Sequence, residues 1–199
     1  MRNRIEHPKV FISYAGGSED YKIKVLSFAT DLMNDGIEVI LDQWSLKEGN
    51  DTYAFMEQSA TDPTITNVLI LLDPVYEKKA NGRDGGVGTE TQIISPEIYN
   101  KVIQEKFLPV IFERGIKGEI PKPQYLKTML HFDLTQEEKY DLEYRRLVKR
   151  LYGIEIVEKP ELGKKPSWLD ERSTIPTKTR SGYEGLKQQK SDSVKKDEF

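Results

Sequence analysis

Short apolar runs alternate with segments of helical periodicity along most of the chain. Five of these runs predict β-strands, at residues 10–12, 37–41, 67–72, 107–112 and, as the weakest, 129–132. The third run, NVLILL, is apolar at almost every position, which is typical of a central parallel strand buried on both faces. Because the strands alternate with helices, the pattern favours a parallel sheet with helices on both faces.

The first predicted helix follows the turn AGGSED, in which Ser18 is a candidate N-cap with acidic residues after it. An apolar stripe at i, i+4, i+7 and i+8 supports this helix and consists of Val25, Ala29, Leu32 and Met33. Gly36 is placed to end the helix.

Three more helices are predicted. One is short and lies around residues 53–59, and a second runs from about residue 90 to 104 with Pro96 inside it. The last covers about residues 136–152. Its apolar side consists of Tyr140, Tyr144, Leu147, Val148 and Leu151.

These elements predict an α/β fold. Right-handed crossovers leave few topologies, and a flavodoxin-like five-stranded parallel sheet of order 2-1-3-4-5 is the natural choice. This domain is predicted to cover residues 1–155. Residues 156–199 are rich in Lys, Ser, Gly and Pro and are predicted to form a polar, flexible tail.

Composition excludes several classes of function. A net charge of −3 gives no reason to expect binding to nucleic acid or to an anionic membrane. The chain has no cysteine and only two histidines, His7 and His131, so neither a metal site nor a thiol nucleophile is expected. No apolar run is long enough for a signal peptide or a membrane span, so a cytoplasmic protein is expected.

Candidate ligand chemistry gathers where the strands end. In this topology ligands bind beyond the carboxyl ends of the strands, between strands one and three. The segments that meet there are SYAGG at 13–17, DQW at 42–44 and DPVYEKK at 73–79. Hydroxyls, small residues, a carboxylate and an indole suit a nucleotide or a sugar. An ordinary turn at Gly16, a turn cap at Asp42 and a loop anchor at Trp44 are the alternatives.

The stretch NGRDGGVGTETQII at residues 81–94 places four glycines just before Glu90. One interpretation is a surface loop followed by an acid at the start of a helix. The other is a mobile flap that carries a catalytic acid. The residue pattern alone leaves both open.

Four segments in this order, KVFISYA, DLMNDGIEVILDQW, NVLILLDPVYEKKANGRDGGVGTE and KFLPVIFE, resemble the SEFIR branch of the Toll/interleukin-receptor (TIR) superfamily. Bacterial members are the most similar, and the resemblance runs from about residue 9 to 153. It implies the flavodoxin-like fold. Many bacterial members cleave NAD⁺ into nicotinamide and either ADP-ribose or a cyclic isomer in anti-phage immunity, whereas animal SEFIR domains are self-associating adaptors.

The resemblance also implies roles for particular residues. Glu90 takes the position of the essential catalytic glutamate, and NAD⁺ is a substrate, so no further cofactor is expected. The residues expected to bind NAD⁺ are Ser13, Tyr14, Ala15, Gly16, Asp42, Trp44 and Tyr76. The residues expected to form a loop for homotypic assembly are Trp44, Ser45, Leu46, Lys47 and Glu48.

Two positions depart from the family pattern. Many relatives carry a tryptophan four residues before the glutamate and an aromatic residue just before it, where this chain has Gly86 and Thr89. The ribose contacts of those aromatics therefore do not carry over. Two other functions stay open: a non-enzymatic interaction module and a receiver-like sensor, although FISYAGG lacks the acidic cluster that a receiver needs.

Overall fold

The computed structural model describes residues 5–82, 94, 99–100, 103–157 and 159–169. Contacts divide the chain into two compact units, Met1–Glu158 and Lys159–Phe199. In the second unit, a 3-10 helix spans Ser167–Leu169. The predicted domain boundary after residue 155 lies close to this division. The flexibility of the tail stays a prediction.

Five parallel strands form one sheet in the order β2-β1-β3-β4-β5. The strands are β1 (Lys9–Ser13), β2 (Glu38–Ile40), β3 (Asn67–Leu72), β4 (Phe107–Ile111) and β5 (Phe132–Asp133). Phe11 of β1 is aligned with Ile40 of β2 and with Val68 of β3. The predicted flavodoxin-like order is therefore confirmed.

Five α-helices accompany the sheet in the described part of the chain: α1 (Glu19–Asn34), α2 (Asp42–Ser45), α3 (Thr52–Thr61), α4 (Pro74–Asn81) and α5 (Tyr140–Leu151). Shorter 3-10 helices lie at Gln104–Lys106, Gln124–Leu126 and Glu137–Lys139. The sequence pattern did not predict α2 or α4. α4 begins at the N-cap Asp73, whose Oδ1 accepts hydrogen bonds from the N–H groups of Val75 (2.6 Å) and Tyr76 (2.8 Å).

Both faces of the sheet are covered, as β3 requires, because all six of its residues are buried. α1 and α5 pack on one face. The core there includes Val10, Ile12, Tyr14, Val25, Leu32, Leu69, Leu71 and Leu147. α3 and α4 pack on the other face, where the core includes Phe11, Ala15, Met56, Val68, Ile70, Leu72, Tyr76 and Ile94.

α1 begins where the sequence predicted, but one residue of its predicted apolar stripe is not buried. Ser18 is the N-cap and accepts the Tyr21 N–H at 3.2 Å. Val25, Ala29 and Leu32 are buried, but Met33 is 50% exposed. At about 100° per residue, Met33 lies about 80° from Val25 around the helix, at the edge of the stripe. Met33 was predicted as part of the apolar stripe, but it is not part of the buried face of the helix.

Other boundaries differ from the predicted ones. β5 begins at Phe132, because the N–H of Met129 is bound to the Leu126 carbonyl in a turn that precedes the strand. α5 begins at Tyr140, and Leu147 and Leu151 are buried on its inner side. Most of the helix predicted for residues 90–104 lies outside the described residues.

Candidate functional site

The turn after β1 places its residues alternately on the two faces of the sheet. Ser13, Tyr14 and Ala15 are all buried. Ser13 and Ala15 face the α3–α4 side and Tyr14 faces the α1 side, as the period of two in a strand requires. Gly16 and Gly17 follow with φ of 75° and 130°, which favours glycine at both positions. The predicted NAD⁺ contacts are thereby split between two faces.

On the α1 side, three side chains form a cluster that we call the Asp42 cluster: Tyr14, Asp42 and Gln43. The Tyr14 hydroxyl donates to Asp42 Oδ2 at 3.1 Å, and Gln43 Nε2 donates to the Tyr14 hydroxyl at 3.1 Å. The Gln43 N–H donates to Asp42 Oδ1 at 2.7 Å. Burial raises the pKa of Asp42, while the hydrogen bonds lower it. Burial, and then the Asp42 carboxylate, raise the pKa of Tyr14.

On the α4 side, the end of β1 is tied to α4. Tyr76 is fully buried, and its hydroxyl lies 3.4 Å from Ser13 Oγ. The Lys79 ammonium donates to the Ala15 carbonyl at 3.0 Å. These contacts hold the main chain of the turn from the α4 side. They leave Gly16 and Gly17 as its more accessible part.

Ile94 is held against this side of the site by its backbone. Its N–H donates to the Tyr76 hydroxyl at 3.0 Å, and its carbonyl accepts from the Tyr125 hydroxyl at 2.6 Å. Its side chain is fully buried in the same core as Tyr76. Ile94, which follows Glu90 by four positions in the sequence, therefore lies beside Tyr76 and the Ser13 end of β1.

Two buried polar atoms lie nearby on the α1 side, the hydroxyl oxygen of Tyr21 and Oδ2 of Asp73. The described part of the chain supplies neither with a hydrogen bond of normal geometry. Burial raises the pKa of the Tyr21 hydroxyl most, and the nearby Asp73 carboxylate raises it further. Buried polar groups thus lie on the α1 side at the end of β3.

The loop after β2 presents an exposed surface. α2 leads into it, and the Lys47 N–H donates to Asn50 Oδ1 at 2.8 Å before Gly49 turns the chain with φ of 92°. Trp44 is 43% exposed, which is unusual for an indole. In the predicted assembly loop Leu46 is half-buried, and the exposed members are Trp44, Ser45, Lys47 and Glu48.

The predicted catalytic acid, Glu90, lies outside the described residues, as do Gly86 and Thr89. The roles of the other predicted residues stay predictions. Asp42 and Tyr76, which the sequence predicted to bind NAD⁺, are buried and bonded to neighbouring protein groups.

Sequence reasoning missed four residues of this edge: Gln43, Lys79, Ile94 and Tyr125. Gln43 and Lys79 lie inside segments that were identified. The Asp-Pro pair at the start of α4 would have indicated the helix that carries Lys79. The hydrogen bonds of Ile94 are made by its backbone, and Tyr125 is 49 residues beyond Tyr76. No local pattern marks such contacts.

A second concave surface lies away from the predicted site. An open groove of about 850 Å³ runs along α5 and is lined by residues that include Tyr144, Val148 and Ile156. It contains no residue of the predicted site. Among the described residues, no three metal-ligating side chains come together. None of the helices described combines the length and the apolar composition that crossing a bilayer requires.

Comparison with known proteins agrees with this architecture. The SEFIR domain family model matches residues 8–141. A crystal structure of a prokaryotic SEFIR domain is 42% identical, with a TM-score of 0.66 over 79% of this chain and 99% of that one. The TIR domain of a Toll-related receptor from Hydra magnipapillata is 13% identical, with a TM-score of 0.51 over 71% and 96%, and shows a shared fold alone. A search of curated proteins gave no match.

Proposed function

The chain belongs to the SEFIR domain family, and on that premise we propose that it is an NAD⁺ nucleosidase that releases nicotinamide when copies of the domain assemble. Glu90 is the catalytic carboxylate in this proposal. The expected setting is the bacterial cytoplasm, in immunity against phage. NAD⁺ is the substrate, and neither a metal nor a further cofactor takes part.

The position of Ile94 is the observation that carries the proposal. Ile94 is bonded to Tyr76, whose hydroxyl lies 3.4 Å from Ser13 at the end of β1. Glu90 is four residues earlier, and four residues of extended chain span at most about 14 Å. The covalent chain therefore limits the distance between Glu90 and this edge of the sheet. That edge is where parallel α/β sheets bind ligands.

One carboxylate is sufficient for the proposed chemistry. Nicotinamide in NAD⁺ is a cation, and the glycosidic C1′–N bond breaks with its electron pair passing to the pyridine nitrogen. The leaving group departs neutral without a general acid. The ribose develops oxocarbenium character, which a nearby carboxylate stabilises. Water then attacks C1′ and loses a proton, or an internal nucleophile closes a ring.

The buried residues of the edge have a supporting role in this proposal. Ser13, Tyr14 and Tyr76 are too buried to be the main contacts of a nucleotide. In this proposal they support the turn after β1, in which the main chain of Gly16 and Gly17 is more accessible. Trp44 is the predicted contact residue with the most exposed side chain, and it also belongs to the predicted assembly loop.

Nicotinamide release by purified protein tests the proposal. Glu90→Ala and Glu90→Gln are expected to abolish release, because neither side chain supplies the negative charge. Glu137→Ala is the matched control, since Glu137 is an exposed glutamate in a 3-10 helix. Chromatography of the second product separates ADP-ribose from a cyclic isomer. Activity that persists in both Glu90 variants would contradict the assigned role.

A second candidate is a non-enzymatic interaction module, a signalling adaptor. The exposed Trp44 in a loop closed by Lys47 and Asn50 favours it. Homotypic association is common to both candidates. What separates them is nicotinamide release, which an adaptor does not catalyse in any state of assembly.

A further inference from the structure

The main chain of Ile94 is held from two sides by tyrosine hydroxyls. Tyr76 accepts its N–H at 3.0 Å, and Tyr125 donates to its carbonyl at 2.6 Å. Both backbone groups of one residue outside any strand are thus satisfied by side chains from other parts of the chain. Because Ile94 is fully buried, loss of either bond leaves a polar group without water to replace the partner.

Each tyrosine is itself fixed. Tyr76 is fully buried on α4. Tyr125 lies in the 3-10 helix Gln124–Leu126, and its ring packs against Tyr99 with ring centroids 5.3 Å apart. Tyr99 in turn packs on Phe107 of β4, with centroids 5.2 Å apart. The hydroxyls therefore have defined positions before they meet Ile94.

The two supports are also joined to each other. The N–H of Gln124, next to Tyr125, donates to Oδ1 of Asn81, the last residue of α4, at 2.9 Å. α4 and the 3-10 helix therefore act together as one clamp. We define the Ile94 clamp as Tyr76, Tyr125 and the Asn81–Gln124 hydrogen bond.

We propose that Tyr76 and Tyr125 are positioning residues that fix the main chain at Ile94, four positions after Glu90 in the sequence, beside the Ser13 end of β1. This inference takes its catalytic meaning from the proposed function. It gives Tyr76 a different task from direct contact with NAD⁺. It also assigns a task to Tyr125, which has no place in the predicted site.

Hydrogen exchange of the full chain tests the clamp without any need for activity. Tyr125→Phe is expected to speed exchange of the peptide that contains Ile94 by about fivefold, since it removes one hydrogen bond and keeps the ring. Tyr152→Phe is the matched control, because the Tyr152 hydroxyl also donates to a backbone carbonyl, that of Asp35 at 2.7 Å. Tyr76→Phe is expected to speed exchange at Ile94 by a larger factor. If Tyr76→Phe does not fold, Tyr125→Phe alone tests the clamp.

Nicotinamide release supplies the second readout. In Tyr125→Phe, kcat is expected to fall about tenfold with KM nearly unchanged, because the acid is misplaced while the other contacts remain. If the peptide that contains Ile94 exchanges no faster in Tyr125→Phe than in Tyr152→Phe, the clamp is overturned. Faster exchange with unchanged kcat would overturn its catalytic role. If the wild type releases no nicotinamide, the proposed function fails, and exchange alone decides whether the clamp exists.

Discussion

Asp42 is an acidic side chain that the fold buries, with only 7% of it exposed. Burial raises its pKa above the ordinary value of 3.8. A carboxyl whose pKa is raised by folding binds its proton more tightly in the folded chain, so protonation stabilises the fold. That stabilisation is complete below the unfolded pKa and is lost as the pH rises through the folded pKa.

We therefore expect the wild type to gain stability relative to Asp42→Asn as the pH is lowered from 7 towards 4. Urea unfolding of both proteins at several pH values measures the difference, in which the effects of other titrating groups cancel. Tyr14→Phe is expected to strengthen the pH dependence, because the Tyr14 hydrogen bond lowers the pKa of Asp42. A difference that does not change with pH would contradict this account.

At the scale of single residues, the sequence located the edge but not the contacts within it. The segments that contain Ser13 and Tyr76 were predicted to meet because parallel strands end at one edge. The Ser13 Oγ and the Tyr76 hydroxyl oxygen lie 3.4 Å apart. The partner of Tyr14 is Asp42, 28 residues away, on the opposite face of the sheet from Tyr76. Tertiary packing chooses such partners, and local pattern carries little of that information.

Neighbouring positions on α1 test how the helix is oriented. Leu32 is fully buried, and Met33 is 50% exposed. Leu32→Ala is expected to lower the free energy of unfolding by about 2–5 kcal/mol, because it leaves a cavity in the core. Met33→Ala is expected to change it by less than about 0.5 kcal/mol. Urea unfolding measures both, and equal losses would contradict the orientation described.

The end of α1 gives a second test. Gly36 has φ of 79°, and a Cβ there would lie 2.9 Å from the Tyr152 hydroxyl. Gly49 has φ of 92° with open space around it. Both alanine variants incur backbone strain of about 1–2 kcal/mol, but Gly36→Ala is expected to be the more destabilising because Tyr152 must also move. The reverse order of melting temperatures would contradict the contact between Gly36 and Tyr152.

At the scale of elements, apolar runs in the sequence were sufficient to predict where the strands lie. β3 could be identified because burial on both faces leaves an almost continuous apolar sequence. α2 and α4 were missed because four and eight residues are too short for a clear helical period. The cap at Asp73, followed by Pro74, was the available signal for α4.

At the scale of the whole molecule, the alternation of elements predicted the topology, but nothing in the pattern identifies the surface through which copies meet. Trp44 is the candidate in the predicted assembly loop. Trp44→Ala is expected to weaken self-association at least several-fold and to leave stability nearly unchanged, because the indole is 43% exposed. Analytical ultracentrifugation over a range of concentrations measures this.

The matched control for that surface is Leu142→Ala, which removes another large exposed apolar side chain, 61% exposed on α5. It is expected to associate like the wild type. If both variants weaken association equally, general surface hydrophobicity drives it and the loop has no special role.

We propose above that assembled copies of this SEFIR domain cleave NAD⁺. The most direct measurement is nicotinamide released per chain as the protein concentration is raised, for the wild type and for Trp44→Ala. We predict a rate per chain that rises with concentration in the wild type, and a curve shifted to higher concentration in the variant. No nicotinamide at any concentration, even with copies joined in tandem, would contradict the claim and leave the interaction module as the function.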